Sequence, residues 1–108
     1  MNFNIIPTPP FEKELKRLAK KYPSIKNDMT ALLTRLQKEP KMGTSLGNDC
    51  YKIRMAITSK GQGKSGGARI ITFVQVIETT IFLLSIYDKA DAENMSDKDV
   101  KERLKGLK

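Results

Sequence analysis

Three segments in the second half of the chain have the residue pattern of β-strands. From Tyr51 to Thr58, apolar residues alternate with polar or small ones, so that Lys52 and Arg54 share the face opposite the apolar side chains. The segment 69–77 is apolar on both faces in its middle, as expected of a central strand, and 80–87 forms a third strand. The pattern therefore predicts three strands that follow one another along the chain.

Consecutive strands of this kind usually pair as antiparallel neighbours. In that arrangement the third strand ends beside the start of the central strand, which places Tyr87 and Lys89 close to Arg69. We therefore expect residues from separate strands to meet at one end of the sheet.

The first half of the chain is predicted to contain one short strand and two helices. The strand covers 2–6 and is ended by prolines, and apolar residues then recur at helical spacing from Phe11 to Tyr22 and from Ile25 to Leu36. So short a connection at Pro23 indicates an αα-hairpin whose apolar stripes cover the sheet. The segment 43–49 is expected to be a loop.

A last helix is predicted after the three strands. Ser96 is a suitable N-cap, Asp97 and Asp99 would face the positive end of the helix dipole, and Val100 and Leu104 begin an apolar stripe. The element order is then strand, two helices, three strands, helix (β-α-α-β-β-β-α). This order indicates an α+β fold with a mostly antiparallel sheet, in a single domain covering residues 1–108.

Charge and cysteine content suggest the partner and the compartment. The chain has 108 residues, a formal charge of +8 and a pI near 9.7, which favours a polyanion or an acidic protein as partner. Cys50 is the only cysteine, which fits a reducing compartment, and we see neither a signal peptide nor a segment able to span a membrane. We therefore expect a cytoplasmic protein without a membrane partner.

The sequence contains no histidine, and this limits the chemistry that the protein can perform. Serine–histidine triads, ribonuclease mechanisms that use a pair of histidines, and ordinary zinc sites are excluded. A single cysteine excludes thiolate metal sites, and the spacing of the acids between Asp88 and Asp99 matches no calcium loop. We expect no metal and no cofactor, so catalysis would depend on Lys, Arg, Tyr, Ser or carboxylates.

Basic residues are concentrated between Cys50 and Ile77, a segment without a single carboxylate. Its glycine-rich part at 61–67 has the sequence GQGKSGG, but Thr58 stands where a phosphate-binding loop requires glycine and a strand follows instead of a helix. A nucleotide triphosphate site is therefore rejected, and we expect a mobile loop that contacts RNA. The candidate RNA-binding residues are Lys60 just before this loop, Lys64 within it, and Lys20 and Lys21 on the first helix.

Several of these residues stand in the pattern of a known protein family. The run DCYKIR at 49–54, the GAR that leads into the central strand at Arg69, and LSIYDK at 84–89 resemble the RelE/ParE superfamily of bacterial type II toxins. The long glycine-rich spacer before Arg69 is similar to that of its RelE/HigB-type branch. The element order agrees over essentially the whole chain.

This resemblance implies a toxin that cleaves translated mRNA in the ribosomal A site without a metal ion and is held inactive by a cognate antitoxin. It implies five catalytic positions, which are Lys52, Arg54, Arg69, Tyr87 and Lys89. A guanidinium group grips phosphate oxygens through two donors and stays charged, so arginine suits the stabilisation of a phosphorane. Both Lys52 and Tyr87 are candidates for the residue that transfers protons, and the sequence does not decide between them.

Two binding functions compete with this interpretation. A ParE-like inhibitor of DNA gyrase would have the same fold without nuclease chemistry, but the basic strand and Arg69 argue against it. A double-stranded-RNA-binding domain would open its last helix with lysines, whereas this helix opens with Ser96, Asp97, Lys98 and Asp99.

Overall fold

The computed structural model describes residues 2–91 and 94–107. Its helices and strands follow the predicted order with one strand added. In chain order the elements are β1 (Asn4–Pro7), α1 (Pro9–Lys21), α2 (Ile25–Lys38), β2 (Thr44–Gly47), β3 (Cys50–Met55), a short 3-10 helix (Thr58–Lys60), β4 (Ala68–Gln75), β5 (Thr80–Asp88) and α3 (Asp97–Leu104).

The strands form one five-stranded sheet in the order β1-β5-β4-β3-β2. The β1–β5 pair is parallel and the other three pairs are antiparallel. The central strand β4 is buried from Ala68 to Val74, as expected for a strand with a neighbour on each side and helices on both faces. These features confirm the predicted α+β class and the antiparallel meander.

Strand β2 lies where the sequence predicted a loop, so that part of the prediction is wrong. Gly47 pairs with Cys50 across a two-residue turn, and both turn residues, Asn48 and Asp49, have positive φ angles of 53° and 61°. Positive φ at both central positions is the geometry of a tight hairpin turn, and asparagine and aspartate tolerate it. The strand is only four residues long and ends in a glycine, so it shows no clear alternating pattern, and the tight turn brings it against β3.

Helices α1 and α2 cover one face of the sheet. Their buried residues, among them Phe11, Leu18 and Leu36, pack against Ile53, Ile70 and other residues that point toward this face. Residues of β3 alternate, so the neighbours of Ile53 in sequence point to the opposite face. The predicted helical hairpin over the sheet is confirmed, and it leaves the basic side chains of β3 on the other side.

Helix α3 covers part of the second face. Val100 and Leu104 pack against a smaller cluster that includes Cys50, Ile71 and Leu84. The Ser96 hydroxyl accepts a hydrogen bond from the backbone N–H of Asp99 (3.1 Å), which confirms the predicted N-cap. On this face, α3 therefore covers one end of the sheet, and the other end is not covered by a helix of the described residues.

An ion pair ties α3 to α1 around the edge of the sheet. β1 pairs with β5 only as far as Leu83, and no other described strand pairs with this edge beyond that residue. Arg103 Nη1 donates to the carbonyl oxygen of Leu84 (2.6 Å), and its Nη2 lies 3.0 Å from Glu14 Oε2. Glu14 in turn accepts hydrogen bonds from the Ser85 hydroxyl and the Ile86 N–H, so the pair replaces the missing strand.

Two further features concern Cys50 and the membrane expectation. Cys50 has no exposed surface, and its thiol lies 3.6 Å from the carbonyl oxygen of Asn48. No helix in the described part of the chain combines the length and the apolar character needed to cross a lipid bilayer.

Candidate active site

Three of the predicted catalytic residues form one row across three neighbouring strands. Arg54 of β3 stands opposite Arg69 of β4, and Arg69 stands opposite Tyr87 of β5. Residues directly opposite each other in paired strands project to the same face, about 5 Å apart at their Cβ atoms. Lys52 precedes Arg54 by two positions on β3 and therefore shares this face. We call these four residues the cation row, with Tyr87 at its β5 end.

The members of the cation row differ in exposure. Arg54 is exposed, Lys52 is half-buried with its Nζ 2.7 Å from the Asn94 side-chain oxygen, and Arg69 is only 5% exposed. A charged group so deeply placed requires hydrogen-bond partners, since desolvation without compensation is costly. Arg69 is therefore held by its surroundings, whereas Arg54 is free to meet a ligand.

Carbonyl oxygens of the glycine-rich loop hold the Arg69 guanidinium. Its Nη1 donates to the carbonyls of Lys64 (2.8 Å) and Ala68 (3.1 Å), and its Nη2 donates to that of Ser65 (3.2 Å). Burial and then the nearby positive charge of Arg54 lower the pKa of Arg69 below its usual range, without depriving it of its charge at neutral pH. The loop thus fixes the direction of a permanent cation.

The glycine-rich loop is attached to the body at both of its ends. In the 3-10 helix that leads into the loop, the N–H of Thr58 donates to Asp28 (3.0 Å), and the N–H of Ser59 donates to the Ser24 hydroxyl (2.8 Å). At the end, the carbonyl oxygen of Gly67 accepts a hydrogen bond from the Lys89 N–H (3.0 Å). The structure therefore shows a loop that is attached at both ends and lies over Arg69.

Lys60 lies apart from the cation row. Its Nζ is 2.7 Å from Asp88 Oδ1, and the side chain of Lys60 is 12% exposed while that of Asp88 is fully buried. The same ammonium lies 5.7 Å from the centre of the Tyr22 ring, on the helix side of the sheet. The structure thus engages this predicted RNA-binding lysine in an internal ion pair, because a buried carboxylate requires a counter-charge.

Asp88 is the acceptor at the centre of this network. It accepts hydrogen bonds from the Tyr22 hydroxyl, from Lys60 and from the N–H of Ala90. Burial alone would raise the pKa of Asp88, but the hydrogen bonds from Lys60 and Tyr22, with that from Ala90 and the Lys60 charge, lower it below the usual value. Asp88 therefore stays ionised and connects the end of α1, the loop and the end of β5.

Tyr87 is half-buried, and its hydroxyl oxygen is enclosed without a hydrogen-bond partner of good geometry among the described residues. Burial raises the pKa of Tyr87, although the Met95 backbone N–H and the charge of Arg69 act in the opposite direction. The raised pKa keeps the phenol protonated at neutral pH. Lys89 lies two residues after Tyr87. Its backbone N–H donates to the Gly67 carbonyl oxygen, and the residue is half-buried.

The remaining predicted RNA-binding lysines occupy two different surfaces. Lys64 is exposed and lines a groove together with Lys52 and Arg54. Lys20 and Lys21 are exposed in the last turn of α1, which packs on the opposite face of the sheet. Lys21 lies 5.4 Å from the centre of the neighbouring Tyr22 ring, and its contact with that tyrosine raises the pKa of Lys21.

The structure adds one cation that the sequence pattern did not single out. Arg35, on the exposed side of α2, lines the same groove as Lys52, Arg54 and Lys64. Its sequence neighbourhood is that of any solvent-exposed helix position, and only the way α2 crosses the sheet brings it to the basic strand.

No group of three or more acids and cysteines in 2–91 and 94–107 has the arrangement of metal ligands.

Comparison with known proteins agrees with the architecture. Residues 11–107 match the family model described as the RelE toxin of the RelE/RelB toxin–antitoxin system. No curated protein sequence matches this chain closely enough to count as a relative. The chain therefore matches the sequence pattern of the whole family but no individual curated sequence.

Solved structures with the same fold include several of the Escherichia coli RelE toxin. An arginine double mutant in the free state has 17% identity and a TM-score of 0.66, with all of both chains covered. The same mutant in complex with a peptide of the antitoxin RelB has 17% identity and a TM-score of 0.63, with 98% of both chains covered. The intact RelBE toxin–antitoxin complex has 18% identity and a TM-score of 0.61, covering 80% of this chain and 95% of the other.

The family model spans nearly the whole chain, from the first turn of α1 through the basic strand to the last helix. The E. coli toxin has the same overall fold. The resemblance seen in the sequence is thereby confirmed, and this chain belongs to the family of RelE toxins of RelE/RelB toxin–antitoxin systems.

Proposed function

We propose that this toxin is an endoribonuclease that cleaves translated mRNA on the ribosome and that a cognate antitoxin holds it inactive. The observation that carries the proposal is the cation row, in which Arg54, Arg69 and Tyr87 occupy opposite positions on three strands. Three such groups on one face can surround a single phosphodiester. The glycine-rich spacer leads us to favour the RelE/HigB-type branch of the superfamily.

Cleavage of RNA without a metal ion requires that the ribose 2′-OH loses a proton, attacks the adjacent phosphorus and expels the 5′-oxygen, which takes up a proton. Arg54 and Arg69 are suited to stabilise the charge on the non-bridging oxygens, because guanidinium groups bind phosphate through two donors. Arg69 is already oriented by the loop carbonyls, so little reorganisation would accompany the reaction.

Proton transfer falls to the other members of the site. Tyr87 stands opposite Arg69 at the end of the row, and because a phenol is protonated at neutral pH, we assign to it donation of a proton or hydrogen bond to the leaving oxygen. Lys52 stands on the same face and would contact the phosphate, and a water molecule would take the proton of the 2′-OH. Lys89 follows the row and would bind the RNA backbone. Lys64 on the loop, with Lys20 and Lys21 farther away, would contact ribosomal or messenger RNA.

The antitoxin partner is proposed on two grounds. The E. coli relative has been solved together with RelB, and this chain shares its fold. The formal charge of +8 adds a physical reason, since an acidic segment would be attracted to the basic face.

The proposal is tested with purified toxin, ribosomes and a short mRNA, with cleavage mapped by primer extension. We expect wild-type toxin to cut the mRNA only when it is being translated. Arg54→Ala should cut at least about 100-fold more slowly, the order of effect of removing one donor to a developing oxyanion. Arg69→Ala should do the same, provided that circular dichroism shows it to be folded.

Lys26→Ala is the matched control, because Lys26 is an exposed cation of α2 outside the row. It should cleave like wild type. A wild-type toxin that leaves translated mRNA intact but blocks supercoiling by DNA gyrase would overturn the proposal in favour of a ParE-like activity. Unchanged cleavage by a folded Arg54→Ala variant would also overturn it.

A further inference from the structure

A groove runs along the outer edge of β3, between α2 and the glycine-rich loop. β2 pairs with β3 only as far as the Thr44–Lys52 pair, so among residues 2–91 and 94–107 no strand lies beside the outer edge from Ile53 to Met55. Two adjoining depressions of about 370 and 180 Å³ follow this edge. The first falls within the range of volumes, about 300–1,000 Å³, that is typical of small-ligand sites.

Three cations line both depressions, and they come from three different elements. Arg35 is contributed by α2, Arg54 by β3 and Lys64 by the glycine-rich loop. Arg35 is exposed, and its guanidinium makes no hydrogen bond or ion pair with any residue in the described part of the chain. Its donors are therefore available to a ligand in the groove.

The carboxylates along the groove do not neutralise these cations. Asp28 accepts hydrogen bonds from the Thr58 N–H, the Thr58 hydroxyl and the Ser24 hydroxyl, which engages its oxygens internally. Glu39 lines only the larger depression. The groove thus keeps an excess of positive charge, which favours an anionic occupant.

The groove is continuous with the cation row. Lys52 and Arg54 belong to both, so a polymer with one phosphate at the row has its neighbouring phosphate within reach of the groove. An RNA backbone has such regularly spaced phosphates, and arginine grips each through its planar fork.

An added peptide strand is a poorer occupant of this edge. A Cβ atom on Gly43 would collide with the Lys52 carbonyl oxygen, so the chain already presses against the edge at that point. Only the short stretch from Ile53 to Met55 remains for pairing. A single strand of RNA needs no such pairing and uses the charges instead.

We propose that this groove is a nucleotide subsite in which Arg35, with Lys64, binds the mRNA phosphate next to the scissile one. The inference rests on the proposed function, since it extends the path of the mRNA beyond the cleaved linkage. Arg35 would act in binding and would touch none of the reacting atoms.

The test measures the affinity of labelled toxin for ribosomes programmed with a short mRNA whose A-site riboses are 2′-O-methylated and so cannot be cut. Arg35→Ala should weaken binding about 10-fold, the order expected for one lost charged hydrogen-bonding contact. Arg35→Lys should recover part of this loss, because the charge is kept but the fork is not. Lys26→Ala on the opposite side of α2 is the matched control and should bind like wild type.

A series of mRNAs with one neutral methylphosphonate each then locates the contact. At one linkage next to the scissile one, the neutral group should lower the affinity of wild-type toxin for the ribosome. The affinity of Arg35→Ala, which already lacks this contact, should not fall further at that linkage. Equal sensitivity of both proteins at every linkage would overturn the inference, as would unchanged affinity of Arg35→Ala. Loss of antitoxin affinity with unchanged ribosome affinity would overturn it in favour of a protein partner.

These outcomes are separate from failure of the proposed function, which is measured as cleavage of unmodified mRNA by the wild-type toxin. If the wild-type toxin cleaves mRNA but Arg35→Ala binds ribosomes like wild type, the proposed function is supported and the nucleotide subsite is overturned.

Discussion

Replacing Asp88 with asparagine removes the central acceptor of the loop network and should destabilise the protein strongly. Asparagine has nearly the same shape but no charge, so the ammonium of Lys60, whose side chain is only 12% exposed, loses its counter-charge. Breaking one partner of a buried ion pair costs about 3–5 kcal/mol. Since Lys60 keeps its contact with the Tyr22 ring and some water, we expect the lower end of this range, about 3 kcal/mol.

The expected loss is large against the total stability of a small domain, which is about 5–15 kcal/mol. It corresponds to a fall in melting temperature of roughly 10–20 °C for a chain of this size. Urea denaturation followed by circular dichroism at pH 7 measures the difference. Asp49→Asn is the matched control, because Asp49 is exposed and stands at a positive φ that asparagine tolerates, so its effect should stay below about 0.5 kcal/mol.

The difference in unfolding free energy between wild type and Asp88→Asn should depend on pH, and the direction of this dependence follows from the pKa of Asp88. The pKa of Asp88 is lower in the folded than in the unfolded protein, where it is about 3.9. The ionised carboxylate therefore contributes its stability above the unfolded pKa, and this contribution is lost as the pH falls through the folded pKa. The stabilities of wild type and Asp88→Asn should accordingly converge below pH ~4.

A double-mutant cycle isolates the ion pair itself. Lys60→Met combined with Asp88→Asn should be less destabilised than the sum of the two single variants, because the second change removes a charge that the first left uncompensated. The reasoning is refuted if Asp88→Asn lies within about 1 kcal/mol of wild type at pH 7. It is equally refuted if the difference is the same at pH 7 and pH 3.

Two other expectations concern the last helix and the tyrosine of the cation row. Arg103→Ala removes the contacts to Leu84 and Glu14 and should cost about 1–2 kcal/mol, with faster amide exchange in α3. Unchanged exchange there would contradict it, and Lys105→Ala, whose ion pair is mostly exposed, should have no measurable effect. In a spectrophotometric titration, the tyrosinate signal missing from Tyr87→Phe should belong to a group that ionises above pH 10. A difference curve with its midpoint at or below that value would contradict the raised pKa.

Periodicity alone was enough to predict most of the fold. Alternation in β3 separated Lys52 and Arg54 from the apolar side chains, and the helical stripes placed α1 and α2 over the apolar face. The antiparallel order of three successive strands then aligned Arg69 with Tyr87. These conclusions need only local patterns and a simple connection rule, and the amino-acid sequence contains both.

Other parts of the site depend on packing between distant segments, which leaves no local signal. The ion pair of Lys60 with Asp88 joins residues 28 positions apart, and nothing near Lys60 distinguishes it from the exposed Lys64. Arg35 meets Arg54 only because of the path of α2 over the sheet. The burial of Arg69 follows from the loop closing over it, whereas arginine at a strand start is ordinarily exposed.

The complete burial of the chain's sole thiol makes it a natural reporter of local opening on this side of the sheet. Cys50 lies in β3 under Val100 and Leu104 of α3, so a thiol reagent can reach it only when α3 moves away or the strand separates from its neighbours. Its rate of modification therefore counts these opening events without any added label. A bound ligand that bridges β3 and the loop would slow the reaction, whereas one confined to the far side of α1 would leave it unchanged.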